Sequence, residues 1–464
     1  MPEEFDAEIC HEAVAELIAK GNGEQLRGFA DELHPVEVAE VLQLLDPEER
    51  QSFYRLTGPE LSGEALAYLP REIAAQDVEA LPPAVQGAFL SRLTDDDLAE
   101  FIEILDQDDR EELFPALPPD KRSQVRKLLG FPEDSVGRRM TTVFAVVRDN
   151  MNVGQAKQAL YPDRERLELI SRIFVVDHHN RLIGKLRLRD LTFSAEETMI
   201  IDFADEEKLI SVHAEEDQEA AARTLMKYDL VALPVVSHNG VLLGILTHDD
   251  AMDILEEESE EDIAIMSAVA PAESDAEYLD TTVLSHYGRR IGWVVILAAM
   301  GLVSGYLLLH FQPVLSKYFI LAVYMPMLVA AGGNTGGQAA TLVLRAMALD
   351  EFHPHQFLSV LWKELRIGMM LGLTLALLVG LKIFLLGAGE TQGNPDIIPK
   401  VMLTVSIAFI IQVVSSTSMG ALLPIAAKAC RLDPAVLAAP MITTFVDVSG
   451  LFIYFTTARF IMGI

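Results

Sequence analysis

Apolar and polar positions follow three regimes along the chain. Through 1–130 apolar residues recur every three or four positions, and Leu69-Pro70, Leu81-Pro82 and Leu117-Pro118 interrupt the pattern; this predicts a run of short amphipathic helices. VEVAEVLQLLDPEER at 36–50 returns as DDLAEFIEILDQDDR at 96–110, an offset of 60. Helical repeats that bury a face on their neighbours stack into a superhelix. From 138 to 260 the pattern becomes that of strands. Phe174-Val175-Val176-Asp177, Leu182-Ile183-Gly184 and Asp190 are matched 60 residues on by Pro234-Val235-Val236-Ser237, Leu242-Leu243-Gly244 and Asp250. Each half predicts an apolar strand, a short turn, a second strand and a helix start. Beyond 290 the apolar runs reach the ~20 residues a bilayer needs. Five spans are predicted, near 291–311, 319–347, 365–387, 401–427 and 435–462.

Charge divides the chain the same way. Residues 289–464 carry seven acids and eleven bases, +4, which leaves −37 of the net −33 on 1–288. So acidic a soluble part argues for cations as partners and against nucleic acid. Cys10 and Cys430 are too few for a disulfide framework and fit a reducing compartment. The acidic start has no long apolar signal segment, so the soluble part is expected to stay in the cytoplasm. Arg289, Arg290, Arg345, Lys363, Arg366, Lys428 and Arg431 fall on the side of the soluble part. Lys317, Lys400 and Arg459 fall on the other, with Lys382 near that end. This bias places the carboxyl end outside.

Polar groups inside the spans narrow the function. Gly332-Gly333-Asn334-Thr335-Gly336-Gly337-Gln338 interrupts an apolar run, and Asn334, Gln338, Thr341 and Arg345 share one helical face. Such a stripe faces a pore or a partner helix, or marks a close helix crossing; the residues alone leave both open. Asp447 is the one acid in the fifth span. It lies about 12 residues, roughly 18 Å, into that helix, where an ionised carboxylate is costly and points to a function, the alternative being a carboxylate satisfied by Thr or Ser within the bundle. Two chains on a two-fold axis would bring two such carboxylates to one pore, a charge suited to Mg2+ that keeps several of its waters.

In the soluble part, Asp249–Asp262 reads DDAMDILEEESEED with no Lys or Arg between. Asp250, Asp253 and Glu257 share one helical face; Glu258, Glu261 and Asp262 fill its neighbour. Two carboxylates about 6 Å apart repel by roughly 3 kcal/mol at an effective dielectric of 20, so a packed set needs cations between its members. No enzyme constellation stands out. His178-His179 falls in a predicted turn and reads as solvent-facing, and His353-Pro354-His355 lacks the partners of a zinc site.

GGNTGGQAATLVLRAMAL at 332–349 and PMITTFVDVSG at 440–450 resemble signature stretches of the MgtE family of magnesium channels. Gly337 stands where that family often has Asn. GFPEDSVGRRMT at 130–141 resembles the family's junction between its amino-terminal domain and the first of two CBS modules. The resemblance implies a multidomain membrane protein. Its parts would be an α-superhelical N-domain at 1–137, α/β tandem CBS modules at 138–200 and 201–262, a linker helix within 263–290 and an all-α five-helix transmembrane domain at 291–464. It implies a homodimeric Mg2+ channel in the lipid bilayer of the inner membrane. Asp447, Asn334 and the Thr443 carbonyl, beside Gly332 and Gly333, would hold hydrated Mg2+ in the pore. Regulatory Mg2+ would close the gate at Glu219, Asp229, Asp250, Asp253, Glu258, Glu261 and Asp262, with Asp433 before the fifth span and Asp95 and Asp97 in the first domain. CBS modules commonly bind adenine nucleotides, which points ATP or AMP to Arg189, Asp190, Thr247 and Asp250. The second module keeps the nucleotide-type ending GILTHDD at 244–250, whereas the first has Arg187 where Ser or Thr is usual. A bound nucleotide and a regulatory fold without one both remain open. So do two rivals: a carrier for Co2+ or Mn2+, and a nucleotide sensor that the spans merely anchor.

Overall fold

The structure, a computed structural model, describes 6–463 apart from 106–109, 111–112, 165–166, 168, 205–208, 272–277, 279–280, 349–350, 391–394 and 431–438. It divides into two compact units, one of 1–258 with 273–278 and the other of 279–464 with 259–272.

The first unit opens with short helices: α1 (Ala7–Ala19), α2 (Gly23–Glu32), α3 (Pro35–Leu44), α4 (Pro47–Thr57), α5 (Pro59–Ser62), α6 (Arg71–Ala80), α7 (Pro83–Leu90), α8 (Asp95–Ile104) and α9 (Pro119–Leu128). Capping residues set their starts. Asp46 and Glu49 exchange hydrogen bonds across the first turn of α4, and the Thr94 hydroxyl accepts from the Asp97 N–H at the head of α8. Prolines open α3, α4, α5, α7 and α9, where a missing N–H costs nothing. The repeat at 36–50 is thus the pair α3–α4; its copy supplies α8, and most of the rest of that copy lies outside the described residues.

The two strand-bearing halves share a pattern. In the first, β1 (Val146–Arg148) pairs parallel with β2 (Arg172–Val176), which pairs antiparallel with β3 (Leu182–Arg187). Helix α10 (Val153–Leu160) lies between β1 and β2, and α11 (Leu188–Phe193) follows β3. The second half repeats this with β4 (Val212–His213), α12 (Gln218–Lys227), β5 (Ala232–Val236), β6 (Leu242–Thr247) and α13 (His248–Met266). The two hairpins join end to end. The Leu182 N–H donates to Gly240 O and the Leu242 N–H to Asn180 O, each at 3.0 Å. The strands before each hairpin, β1 and β4, escaped sequence reading because two or three residues cannot display a period.

One apolar core runs from the helical repeats into the second half: Leu98 and Ile102 of α8 join Leu225, Leu246 and Ile254 in the same buried cluster. The first half keeps a separate core around Val147, Ile173 and Leu186.

The second unit is helical: α14 (Val283–His310), α15 (Gln312–Lys317), α16 (Ile320–Ala348), α17 (Phe357–Glu390), α18 (Ile398–Ala429) and α19 (Ala439–Met462). Among the described residues four helices are long and apolar enough to cross a membrane, α14, α17, α18 and α19. The 29-residue α16 is long enough, but its glycines, Asn334 and Gln338 dilute its apolar character. That glycine-rich stretch stays helical throughout. Helix α14 begins at Val283, so 283–290, the end of the stretch expected as a separate linker, run without a break into the first span; 272–277 and 279–280 lie outside the described residues.

Candidate functional site

Two carboxylate-bearing sites and one basic cavity emerge, each within a single unit. In the first unit α8 and α13 face each other across a cavity of about 190 Å3. Asp96, Asp97 and Glu100 line it from α8, and Asp250, Asp253 and Glu257 from α13. The fixed counter-charge on its wall is Arg139, whose guanidinium lies 2.7 Å from Glu100 Oε1 and also pairs with Glu257. Burial, then the neighbouring charges of Asp96 and Glu100, push the Asp97 carboxyl up to about 6. Partial burial and Asp249, Glu100 and Glu256 likewise push Asp253 up. Asp96 accepts from the Thr141 hydroxyl at 2.7 Å, yet its Oδ1 is buried with no hydrogen-bond partner. Crowded carboxylates, one with an orphaned oxygen, are a donor set that fits a hard divalent cation bound through oxygen.

The expected sensor residues divide. Asp97, Asp250 and Asp253 meet at this cavity, although one Asp250 oxygen also accepts from the Thr247 N–H and hydroxyl at the head of α13. Asp95 does not line it: Lys121 Nζ sits 3.0 Å from its Oδ1 and Thr142 donates to its other oxygen. Glu219 pairs with Arg223 one turn along α12, and Glu258 accepts from Gln218 Nε2 at 2.7 Å. Glu261 and Asp262 lie further along α13, exposed. Asp433 lies outside the described residues. Asp96, Glu100 and Arg139 were missed by sequence reading; Glu100 sits one turn beyond Asp96 on α8, a spacing visible in the sequence but without a partner until α13 is placed opposite.

The basic cavity, about 480 Å3, lies where the two strand-bearing halves meet. Arg172, Lys185, Arg187 and Arg189 line it beside Asp190, with Phe174 and Phe203 as apolar walls. Asp229, expected among the Mg2+ ligands, lines this cavity instead, held with positive φ at the end of α12. Thr247 and Asp250 are not on its wall; they bond to each other at the start of α13. The nucleotide expectation therefore narrows to Arg189 and Asp190. His178 and His179 are exposed as expected; their ring nitrogens and an Asp177 oxygen come within 4.8 Å of one another, but Arg181 and two backbone N–H groups already occupy the Asp177 carboxylate.

In the second unit α16, α18 and α19 cross on small residues. A Cβ on Gly333 would stand 2.8 Å from Thr443 Cγ2 and 3.8 Å from Asp447 Oδ1. Asp447 thus faces the Gly332-Gly333 step, and its Oδ1 is buried with no hydrogen-bond partner. Helix α19 is described from Ala439, and Asp447 lies about two turns, roughly 12 Å, along its described part; 431–438 lie outside the described residues. Asn334 does not turn inward: Asn334, Gln338, Thr341 and Arg345 are all exposed on the outer face of α16. Sequence reading also missed the buried polar row Thr404, Gln412, Ser416 and Thr417 on α18. Its signal was a small or polar residue at every fourth position from Thr404 to Gly420, the spacing of one helical face.

Comparison with known proteins places the whole chain in one family. Residues 325–457 match the MgtE divalent cation transporter family, 33–134 the MgtE intracellular N domain, and 135–196 and 202–257 the CBS domain. The chain is 33% identical to magnesium transporter MgtE of Thermus thermophilus over 453 residues, 97% of this chain and 98% of that protein. The chain belongs to the MgtE family. A second MgtE, from Bacillus subtilis, is 28% identical over 95% of both chains. The soluble part of a magnesium transporter matches with a TM-score of 0.52 and 27% identity, over 55% of this chain and 100% of that one. The cytosolic domain of the Mg2+ channel MgtE in complex with ATP matches with a TM-score of 0.50 and 31% identity, over 53% of this chain and 99% of that one. Membership makes the chain a transporter rather than an enzyme, and its helical repeats, CBS modules and apolar helices are the parts of an MgtE protein.

Proposed function

We propose that this chain is the subunit of a homodimeric Mg2+ channel of the inner membrane, with its soluble part in the cytoplasm and its carboxyl end outside. The observation that carries the reading is Asp447: a carboxylate within an apolar helix bundle, facing Gly333, with one buried oxygen that no protein group satisfies. A merely anchoring bundle has no use for such a group. The exposed polar stripe Asn334–Arg345 supports the dimer, because a polar face on a membrane helix needs protein or water against it. Two subunits would then present two Asp447 carboxylates, with Asn334 and the Thr443 carbonyl, to a hydrated ion. Inner-membrane uptake is tested in liposomes: reconstituted protein should admit Mg2+, and Asp447→Ala should abolish the flux while the dimer stays folded. Uptake by that variant near the wild-type rate contradicts the reading.

The gate follows from the acidic cavity. Mg2+ bound among Asp97, Asp250 and Asp253 would neutralise their repulsion and hold α8 against α13. Shifting a gate from 1:99 to 99:1 takes about 5.5 kcal/mol of differential binding. Several sites worth about 1–2 kcal/mol each reach that total and make closure steep in cytoplasmic Mg2+. The basic cavity carries a second ligand. Four cationic side chains suit a polyphosphate and Phe174 or Phe203 suits an aromatic base, which agrees with the ATP bound by the related cytosolic domain. Calorimetry on the full chain should show ATP binding that Arg189→Ala weakens; no heat at millimolar ATP contradicts it.

A further inference from the structure

We infer that Gln412 is a positioning residue of the ion path, fixing the turn of α19 that carries Asp447 and thereby the affinity and selectivity for Mg2+. The inference rests on the proposed role of Asp447. Gln412 sits in the middle of α18 and is only 1% exposed. Its Nε2 donates to Val446 O, the carbonyl immediately before Asp447, at 3.0 Å. Two glycines make room for it. A Cβ on Gly450 would lie 2.5 Å from Nε2, and a Cβ on Gly332 would lie closer still. One turn along α18, the Ser416 hydroxyl donates to Gly332 O. Helix α18 is therefore pinned to α16 and to α19 at the level where Gly333 faces Asp447.

Packing alone does not explain this residue. Leu or Met would fill comparable volume without a polar group to satisfy, whereas the Gln412 amide leaves its own Oε1 buried with no partner. A buried amide with an unmet acceptor is unfavourable, and the bond it gains is the one to Val446 O. The consequence is geometric. Mg2+ demands near-ideal octahedral geometry, while Ca2+ accepts varied coordination numbers and longer distances. Loosening the turn that holds Asp447 should therefore harm Mg2+ more than Ca2+.

The test is flux into liposomes holding the full-length protein, with Mg2+ or Ca2+ as the only external divalent cation. Gln412→Met removes the donor at equal length; Gln412→Asn keeps an amide but withdraws it by one methylene. Both should raise the Mg2+ concentration for half-maximal flux about tenfold, the scale of one neutral hydrogen bond. Both should also lower the preference for Mg2+ over Ca2+, with the thermal unfolding midpoint of the dimer little changed. Wild-type half-saturation and preference in either folded variant would overturn the inference. So would lower maximal flux in proportion to folded protein with unchanged half-saturation, which is the mark of packing alone. Asp447→Ala is the control: if it conducts like wild type, the pore reading fails and takes this inference with it. If it is silent while the Gln412 variants conduct normally, only the role of Gln412 fails.

Discussion

Two acids of the first unit show how the same side chain serves opposite ends. Asp77 is 2% exposed, but both its oxygens lie 2.9 Å from Arg50 Nε, and the Tyr54 hydroxyl donates to one of them. Arg50 also donates to Leu45 O at 2.8 Å, so the pair is satisfied and structural. Asp97 is crowded by Asp96 and Glu100, and its carboxyl titrates near 6. Asp77→Ala strands a buried guanidinium and should cost the soluble part on the order of 3–5 kcal/mol, read as thermal unfolding. Asp97→Asn should instead stabilise the metal-free protein, since a raised carboxyl pKa means that the ionised form is the disfavoured one. The sign for pH follows from linkage. The folded state holds its Asp97 proton up to about 6, against an ordinary value of 3.8, so stability from this group is full below 3.8 and is lost as pH rises through 6. Protons would therefore compete with the Mg2+ proposed to bind there. The Mg2+ concentration that protects the soluble part from protease should rise between pH 7 and pH 5.5, and Asp97→Asn should flatten that dependence. An unchanged wild-type midpoint across that interval contradicts the account. At this scale the sequence displayed which residues carry charge, and Asp447 stood out as a lone acid in an apolar run. It did not display which acids already have cations: Asp95 and Asp97 are two apart on one helix, and only the fold gives Lys121 to the first.

Helices α16 and α18 touch backbone to side chain, so single methyl groups decide whether they pack. A Cβ on Gly420 would run into Gly336 O, and one on Gly336 would lie 2.6 Å from Ser416 Oγ, whereas nothing lies within 4 Å of a Cβ on Gly337. Gly420→Ala should therefore cost about 1–3 kcal/mol of overpacking and lower the yield of folded protein in detergent, while Gly337→Ala leaves the subunit fold intact. Equal behaviour of the two variants on size exclusion would show that the crossing is looser than drawn. Element boundaries were legible where caps and prolines mark them, as at Asp46-Pro47. The spans were legible by length, but their ends were not. Helix α17 runs over Phe357–Glu390 against an expected 365–387, because amphipathic turns outside the apolar run extend the helix without changing the hydropathy signal. The acidic run was legible as one helix, and α13 holds it from His248 to Met266; the face it turns to α8 was not, because that depends on a contact about 150 residues away in sequence.

On the function proposed above the whole molecule is a sensor joined to a pore. Both offsets of 60 residues visible in the sequence reappear among the described residues, one with α3 and α8 as its copies and one as hairpins joined end to end. What sequence could not show is that the helical repeats share their core with the second strand-bearing half and not with the first. That shared core brings the carboxylates of α8 to those of α13. Asp97→Asn, Asp250→Asn and Asp253→Asn together should abolish closure by Mg2+ while permeation through Asp447 persists. Single-channel recording from the reconstituted protein, with Mg2+ varied on the face of the soluble part, reads both at once. The account predicts unitary Mg2+ currents whose open probability falls steeply as that Mg2+ reaches millimolar, with none in Asp447→Ala. Mg2+ flux without unitary currents, or an open probability indifferent to Mg2+ on that face, would contradict it.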